Sequence, residues 1–153
     1  MARLEDLIPT SRANIENLDC PQFTDRPWVR PAPLAEQHLA LISSAGLMRR
    51  GEPTVSRGEA GYREIPHDTP ATDLWMSHVS VNFDRTGFQQ DLNVVLPRQR
   101  LDELAGQKII AGAAPVHYSF MGATDPTAMA DYAREVADQL HAAKVDSALL
   151  LPV

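Results

Sequence analysis

Asp146-Ser147-Ala148-Leu149-Leu150-Leu151-Pro152-Val153 runs apolar from Ala148 to Val153 without alternation. A strand with one face in water alternates apolar and polar residues. An unbroken short run of this kind reads as a strand buried on both faces of a parallel sheet. Upstream, Met129, Tyr132, Val136 and Leu140 form an apolar stripe at helical spacing, with Arg134, Glu135, Asp138 and Gln139 off it. Asp125-Pro126 offers a capping carboxylate and a first-turn proline, so the spacing predicts a helix from there to about Lys144. Before it, Lys108 to Ala114 and Val116 to Phe120 contain a further strand. Strand, helix and strand in this order make a parallel crossover unit.

The same alternation extends toward the amino terminus. His38-Leu39-Ala40-Leu41-Ile42-Ser43-Ser44-Ala45-Gly46 is a short apolar run closed by small residues, the pattern of a first buried strand with Ser44 to Gly46 at its carboxyl end. Asp73 to Val81 is a second run. Asn93 to Leu96 is a third, stopped by Pro97, which opens a helix through Leu101 and Leu104 that ends at Gly106. Arg49 to Arg63, with three glycines, four arginines and no period, reads as a loop. Residues 1–33 hold two helical patches, Arg3 to Ile8 and Ser11 to Leu18, followed by Pro21, Pro27, Pro31 and Pro33. They read as a proline-rich arm laid over a domain of residues 34–153. The fold class is therefore α/β, a mainly parallel, Rossmann-like sheet flanked by helices.

Composition bounds the function. The 153 residues are 44% hydrophobic, enough for one buried core, and carry a formal net charge of -6. Such a surface does not collect phosphate backbones or anionic lipids, so neither nucleic acid nor membrane is expected as a partner. The longest small-or-apolar run, Ile109 to Val116, is far short of the roughly 18 residues of a membrane helix, and the start lacks a signal-peptide core. A lone Cys20 forms no internal disulfide and suits the cytoplasm.

Polar groups concentrate beside the apolar runs at 76–84, 89–97 and 117–122. His78, Asp84, Asp91, Asn93 and His117 are the candidate catalytic residues, because a histidine with a carboxylate beside it makes an acid/base pair. Each lies at or beside the end of an expected strand, and sheets of this class place ligands at the carboxyl ends, so all five are expected at one rim near Val153. Ser44, Gly46, Arg63, Tyr118 and Ser119 are the expected substrate-binding residues. The loop bearing Arg49, Arg50, Arg57 and Arg63 is expected to close over a small zwitterion or carboxylate. A plainer reading keeps the histidines bonded to backbone and Asp84, Asp91 and Asn93 as turn residues. His78, Asp84, Asp91 and His117 also offer nitrogen and oxygen ligands for a hydrolytic metal, at a spacing that matches no ligand signature.

Five segments together resemble a known family. Leu-Ala-Leu-Ile-Ser-Ser-Ala-Gly-Leu at 39–47, Tyr-Arg-Glu-Ile-Pro at 62–66, Ser-His-Val-Ser-Val-Asn-Phe-Asp at 77–84, Asp-Leu-Asn-Val-Val-Leu-Pro at 91–97 and His-Tyr-Ser-Phe-Met-Gly at 117–122 are similar to the selenoprotein B subunits of glycine, sarcosine, betaine and D-proline reductases. The short D-proline-reductase-like members are the nearest in pattern. The resemblance implies reductive cleavage of a C–N bond with a dithiol as electron donor, and a partner subunit whose pyruvoyl group activates the substrate nitrogen. It also implies a selenocysteine, or a cysteine, just after the strand that ends at Val153. This chain carries no such group and is expected to be the amino-terminal part of the subunit, forming a homo-oligomer or self-associating through its uncovered leucines. The rival readings are a non-redox protein that binds a small carboxylate or a partner, and the metal-dependent hydrolase.

Overall fold

The computed structural model describes residues 3–18, 20–22, 24, 26–80 and 85–153. A mostly parallel sheet lies at its centre. Strand β1 (His38–Ser43) pairs in parallel with β7 (Ser147–Leu151) on one edge and, on the other, with β5 (Gly112–Ala113) and then β6 (Val116–Phe120). Strand β3 (Tyr62–Pro66) closes the far side antiparallel to β6, and β2 (Leu47–Arg49) pairs with β4 (Leu74–Met76) in a separate antiparallel ribbon. Among the described residues no helix is long and apolar enough to cross a membrane.

Strand pleating assigns the two faces. Leu41, Ser43, Ile65, His117 and Ser119 share one face, set by the registers Ser43↔Ser119 and Ile65↔His117. There the main core gathers Leu41, Leu47, Ile65, Leu74, Val95, Leu96, Leu101 and Ile110 from β1, β2, β3, β4, helix α3 (Arg98–Gly106) and the turns around it. Tyr62, Tyr118 and Phe120 share the opposite face. Helix α4 (Ala130–Ala142) covers that face through Tyr132, whose ring stands edge-on to Tyr62, and through Gln139, which accepts from the Tyr118 hydroxyl and donates to that of Tyr62. Helices α1 (Pro9–Glu16) and α2 (Thr86–Gln90) are short.

β5 and β6 are one strand interrupted by a bulge. Between the pairs Leu39↔Ala113 and Ile42↔Tyr118, residues 114–117 face only residues 40–41. Such an excess leaves backbone groups of the partner strand without their ladder partners. The Leu41 N–H is one of these, and it donates instead to Nδ1 of His117 at 3.1 Å.

Several expectations are corrected. Asn93–Leu96 is no strand: Asp91 Oδ1 accepts from both the backbone N–H and the Nδ2 of Asn93, winding Leu92–Val94 into a 3-10 turn. The loop expected through Arg63 stops short, because Tyr62 and Arg63 open β3; its faces mix Tyr, Glu, Arg and Ile, with Ile65 alone buried, so no apolar alternation announces it. Asp125 caps Thr127 as anticipated, but the next three amides bond three residues back rather than four, and α4 begins only at Ala130. The run at Ser147–Leu151 is parallel as expected but not buried on both faces. It lies at the sheet edge, with Leu149 44% and Leu150 67% exposed. Apart from these corrections, no described residue before Gln37 is buried, Trp28 and Val29 included.

Both long helices end in a left-handed residue, Lys108 (φ 59°) and Lys144 (φ 54°), while the next amides, of Ile109 and Val145, bond back to Leu104 and Leu140. That is the Schellman closure, which favours glycine because a Cβ is strained there. Lys144→Gly is expected to raise stability by about 0.5 kcal/mol, once the glycine's greater unfolded-state entropy is subtracted. A chemical denaturation midpoint that falls would refute this.

Candidate functional site

The candidate residues occupy two places. The first is the carboxyl end of the parallel strands. Ser44 donates its N–H to the Leu151 carbonyl, and its Oγ accepts the Val153 N–H at 2.8 Å, holding the end of β7 against the end of β1. Gly122 donates its N–H to the Ser44 carbonyl; a Cβ there would stand 2.9 Å from Ser44 backbone and side chain. Gly46, at φ 65°, donates to the Phe120 carbonyl and accepts the Ser77 N–H, and a Cβ there would crowd the Ser77 carbonyl oxygen at 3.3 Å, beside the His78 backbone. Ser119 Oγ accepts the Leu47 N–H at 2.7 Å. His78 is buried; its Nδ1 accepts from the Ser80 N–H, while burial first and the Arg85 guanidinium second push its pKa down, so the ring is neutral at pH 7.

The second place lies on the core face of the sheet, nearer the amino-terminal ends of the strands. His117 is the second residue of β6 and is fully buried. Since its Nδ1 accepts from Leu41, its proton sits on Nε2 and is donated to Nδ1 of His67 at 2.9 Å. His67 must then carry its own proton on Nε2, which it donates to Asp102 Oδ1 at 2.9 Å. One backbone amide thus sets the tautomers of two histidines in a row. Burial, followed by the influence of His67 and Arg98, pushes the His117 pKa from 6.5 down to about 3. The chain opens on a cavity of about 330 Å³ lined by His67, Asp91, Asn93, Arg98, Gln99 and Asp102, among others.

Asp91 and Asn93 therefore join His117 through this cavity and His67, whereas His78, Ser44, Gly46 and Ser119 lie by the strand ends. The single rim expected for all of them gives way to two places, because His117 plugs the bulge at the wrong end of its strand. Asp84 lies outside the described residues. Tyr118 faces α4 and bonds Gln139, on the other face of the sheet. With Nδ1 and Nε2 both bonded inside the protein, His117 has no lone pair for the metal that the hydrolase reading requires.

The arginine loop is also tied up internally. Arg63 pairs with Glu59 at 2.7 Å and donates to the Pro53 carbonyl, and Arg49 pairs with Glu52. Arg50 lies over the Trp75 ring and reaches toward Asp73; Arg57 is exposed, as is Cys20. Arg49 and Arg50 border a broad, open cavity of about 690 Å³ together with Asp68 and Asp73.

Sequence reading does not single out His67, Arg98 or Asp102. A signal was present: Arg98 and Asp102 stand four apart on one side of α3, and His67 follows Pro66 directly at the end of β3.

The low pKa of His117 has a signed consequence. The unfolded imidazole takes up a proton near pH 6.5 and the folded one does not, so stability falls as pH drops from 6.5 toward about 3. Between pH 6.5 and 5, above the carboxylate range, the slope should reach up to about 1.4 kcal/mol per pH unit for this group, with His78 adding in the same sense. Urea titrations of wild type and His117→Asn are expected to show a shallower slope in the variant. Equal slopes would remove His117 as the source.

No curated protein and no solved structure matches the chain. A family model does, over residues 16–152, nearly the whole length. It is that of the glycine/sarcosine/betaine reductase selenoprotein B family, in agreement with the five segments quoted above. The chain, with its parallel strands joined at Ser44 and its two histidine sites, belongs to that family.

Proposed function

We propose that this chain forms the strand-end cradle of a reductase subunit that cleaves the C–N bond of a small zwitterionic or carboxylate substrate. In the net reaction the carbon–nitrogen bond breaks, the carbon gains one hydrogen and the nitrogen another, the amine leaving from an open-chain substrate and staying tethered in a ring-opened one, and a dithiol is oxidised to a disulfide. A selenocysteine or cysteine following Val153 would supply a nucleophile to that reaction, and a pyruvoyl group on a partner subunit would activate the substrate nitrogen.

One observation carries the reading. The Val153 N–H is held by Ser44 Oγ at the carboxyl ends of β1 and β7, where parallel sheets flanked by helices receive their ligands. The residues around that point fit a reactive group and a compact substrate. Gly46 and Gly122 remove side-chain bulk, so backbone approaches closely. Ser44 and Ser119 together fix the strand ends through five hydrogen bonds, counting the longer contact from Ser44 Oγ to the Leu151 carbonyl. His78, held neutral, adds a polar ring without adding charge. The exposed Leu149 and Leu150 side chains on β7 support contact with a partner subunit or a second copy.

The test is dithiol-dependent C–N cleavage of glycine, sarcosine, betaine and D-proline by the full-length subunit and its pyruvoyl partner, read as amine release for the first three and as the ring-opened amino acid for D-proline. Turnover of at least one substrate is expected. Ser44→Ala should lower kcat about 10- to 100-fold through misplacement of the residue beyond Val153, with KM little changed. Absence of C–N cleavage in all four, by a folded and partnered protein, would overturn the proposal.

A further inference from the structure

The cavity at the amino-terminal end of α3 is not explained by chemistry at Val153. Leu41, whose amide anchors the histidine chain, precedes Ser44 by three residues, about 10 Å along β1, and His67 and Asp102 extend farther away across β6 and β3. The cavity nonetheless has the makings of a built site. Arg98 is 8% exposed. Its Nη1 donates to the carbonyls of Pro66 and His67, but its buried Nε has no hydrogen-bond partner, and no carboxylate pairs with it among the described residues. An orphaned donor on a buried cation is costly, and a ligand acceptor removes that cost.

The rest of the wall has the opposite sign. Asp91 uses Oδ1 for both of its bonds to Asn93, and Asp102 uses Oδ1 for His67, which leaves Oδ2 of each for a ligand. His67 cannot compete as a second acceptor, because the Leu41 amide, acting through His117, commits its Nδ1 to receiving and its Nε2 to donating. The Asn93 amide is likewise engaged, by Asp91 and Gln99. Buried Arg98 and the two aspartates thus line a volume of about 330 Å³, the lower end of the range for small-molecule pockets.

We infer that this cavity is a second binding site, for a small zwitterion whose carboxylate docks on Arg98 and whose cationic nitrogen lies between Asp91 and Asp102. His117 is a positioning residue for it, acting through His67. The inference rests on the cavity and not on the reductase reading.

The experiment is an amide NMR titration of the full chain with glycine, acetate and methylammonium as separate probes. Glycine should shift the amides of His67, Asn93, Gln99 and Asp102 saturably, and acetate and methylammonium should each bind about tenfold or more weakly, since each lacks one of the two charges. Asp102→Asn, at a position 60% exposed on its side chain and so tolerant of change, should weaken glycine about tenfold without lowering Tm. Asp91→Asn serves as the second variant, and His117→Asn should move the tautomer-sensitive 15N shifts of the His67 ring. Equal affinity for the three probes, no saturable binding of glycine, or glycine binding unchanged in both aspartate variants would overturn the inference. Shifts confined to Ser44, Gly46 and Val153 would overturn it too, while leaving the reductase reading standing.

Discussion

The Leu41 amide governs more of this molecule than any other single group. β1 is an inner strand with parallel neighbours on both edges, and the bulge between β5 and β6 deprives it of a carbonyl at that level. An unpaired N–H in the core costs on the order of 1 to 3 kcal/mol. His117 meets that need with Nδ1, and the orientation of every hydrogen bond from there to the surface follows. The same requirement explains a fully buried histidine beside a core made mostly of leucine, isoleucine and valine. Charging the ring would place a proton where the Leu41 proton already points.

Much of the fold was legible because strong local signals agreed with tertiary structure. Residues 38–43, 116–120 and 147–151 are strands, α3 ends at Gly106 as read, and α4 follows the stripe through Tyr132 and Val136. The failures have physical causes. β3 has one buried residue in five, so its pairing with β6 decides its state and its own pattern does not. Asn93 looked like the start of a strand because its neighbours are apolar, yet the Asp91 carboxylate captures its amide first. The run of leucines at 149–151 indicated parallel pairing correctly and burial incorrectly, since hydrophobicity reports what a residue prefers and not what covers it.

The site was legible only in its parts. His78, Asp91, Asn93 and His117 are all polar residues beside apolar segments, and sequence adjacency to strands made them look equivalent. Strand direction separates them. A histidine second in a parallel strand and a serine just past the end of its neighbour lie at different levels of the sheet. His67, Arg98 and Asp102, which complete the lower site, come from a strand end and a helix start that only the packing of α3 on the sheet brings together. Their polarity was visible, but their meeting point was not.

The place of β1 in the sheet also bears on how the molecule is made. The first strand of the sheet to be synthesised is an inner one, and its two flanking neighbours, β6 and β7, arrive only with residues 116–120 and 147–151. Pairings of such long sequence separation carry a high loop-closure cost and slow folding. On the ribosome, Leu39, Ala40, Leu41 and Ile42 must therefore wait, apolar and unpaired, through the translation of some hundred further residues. The nascent chain is a natural client for a holding chaperone over that interval.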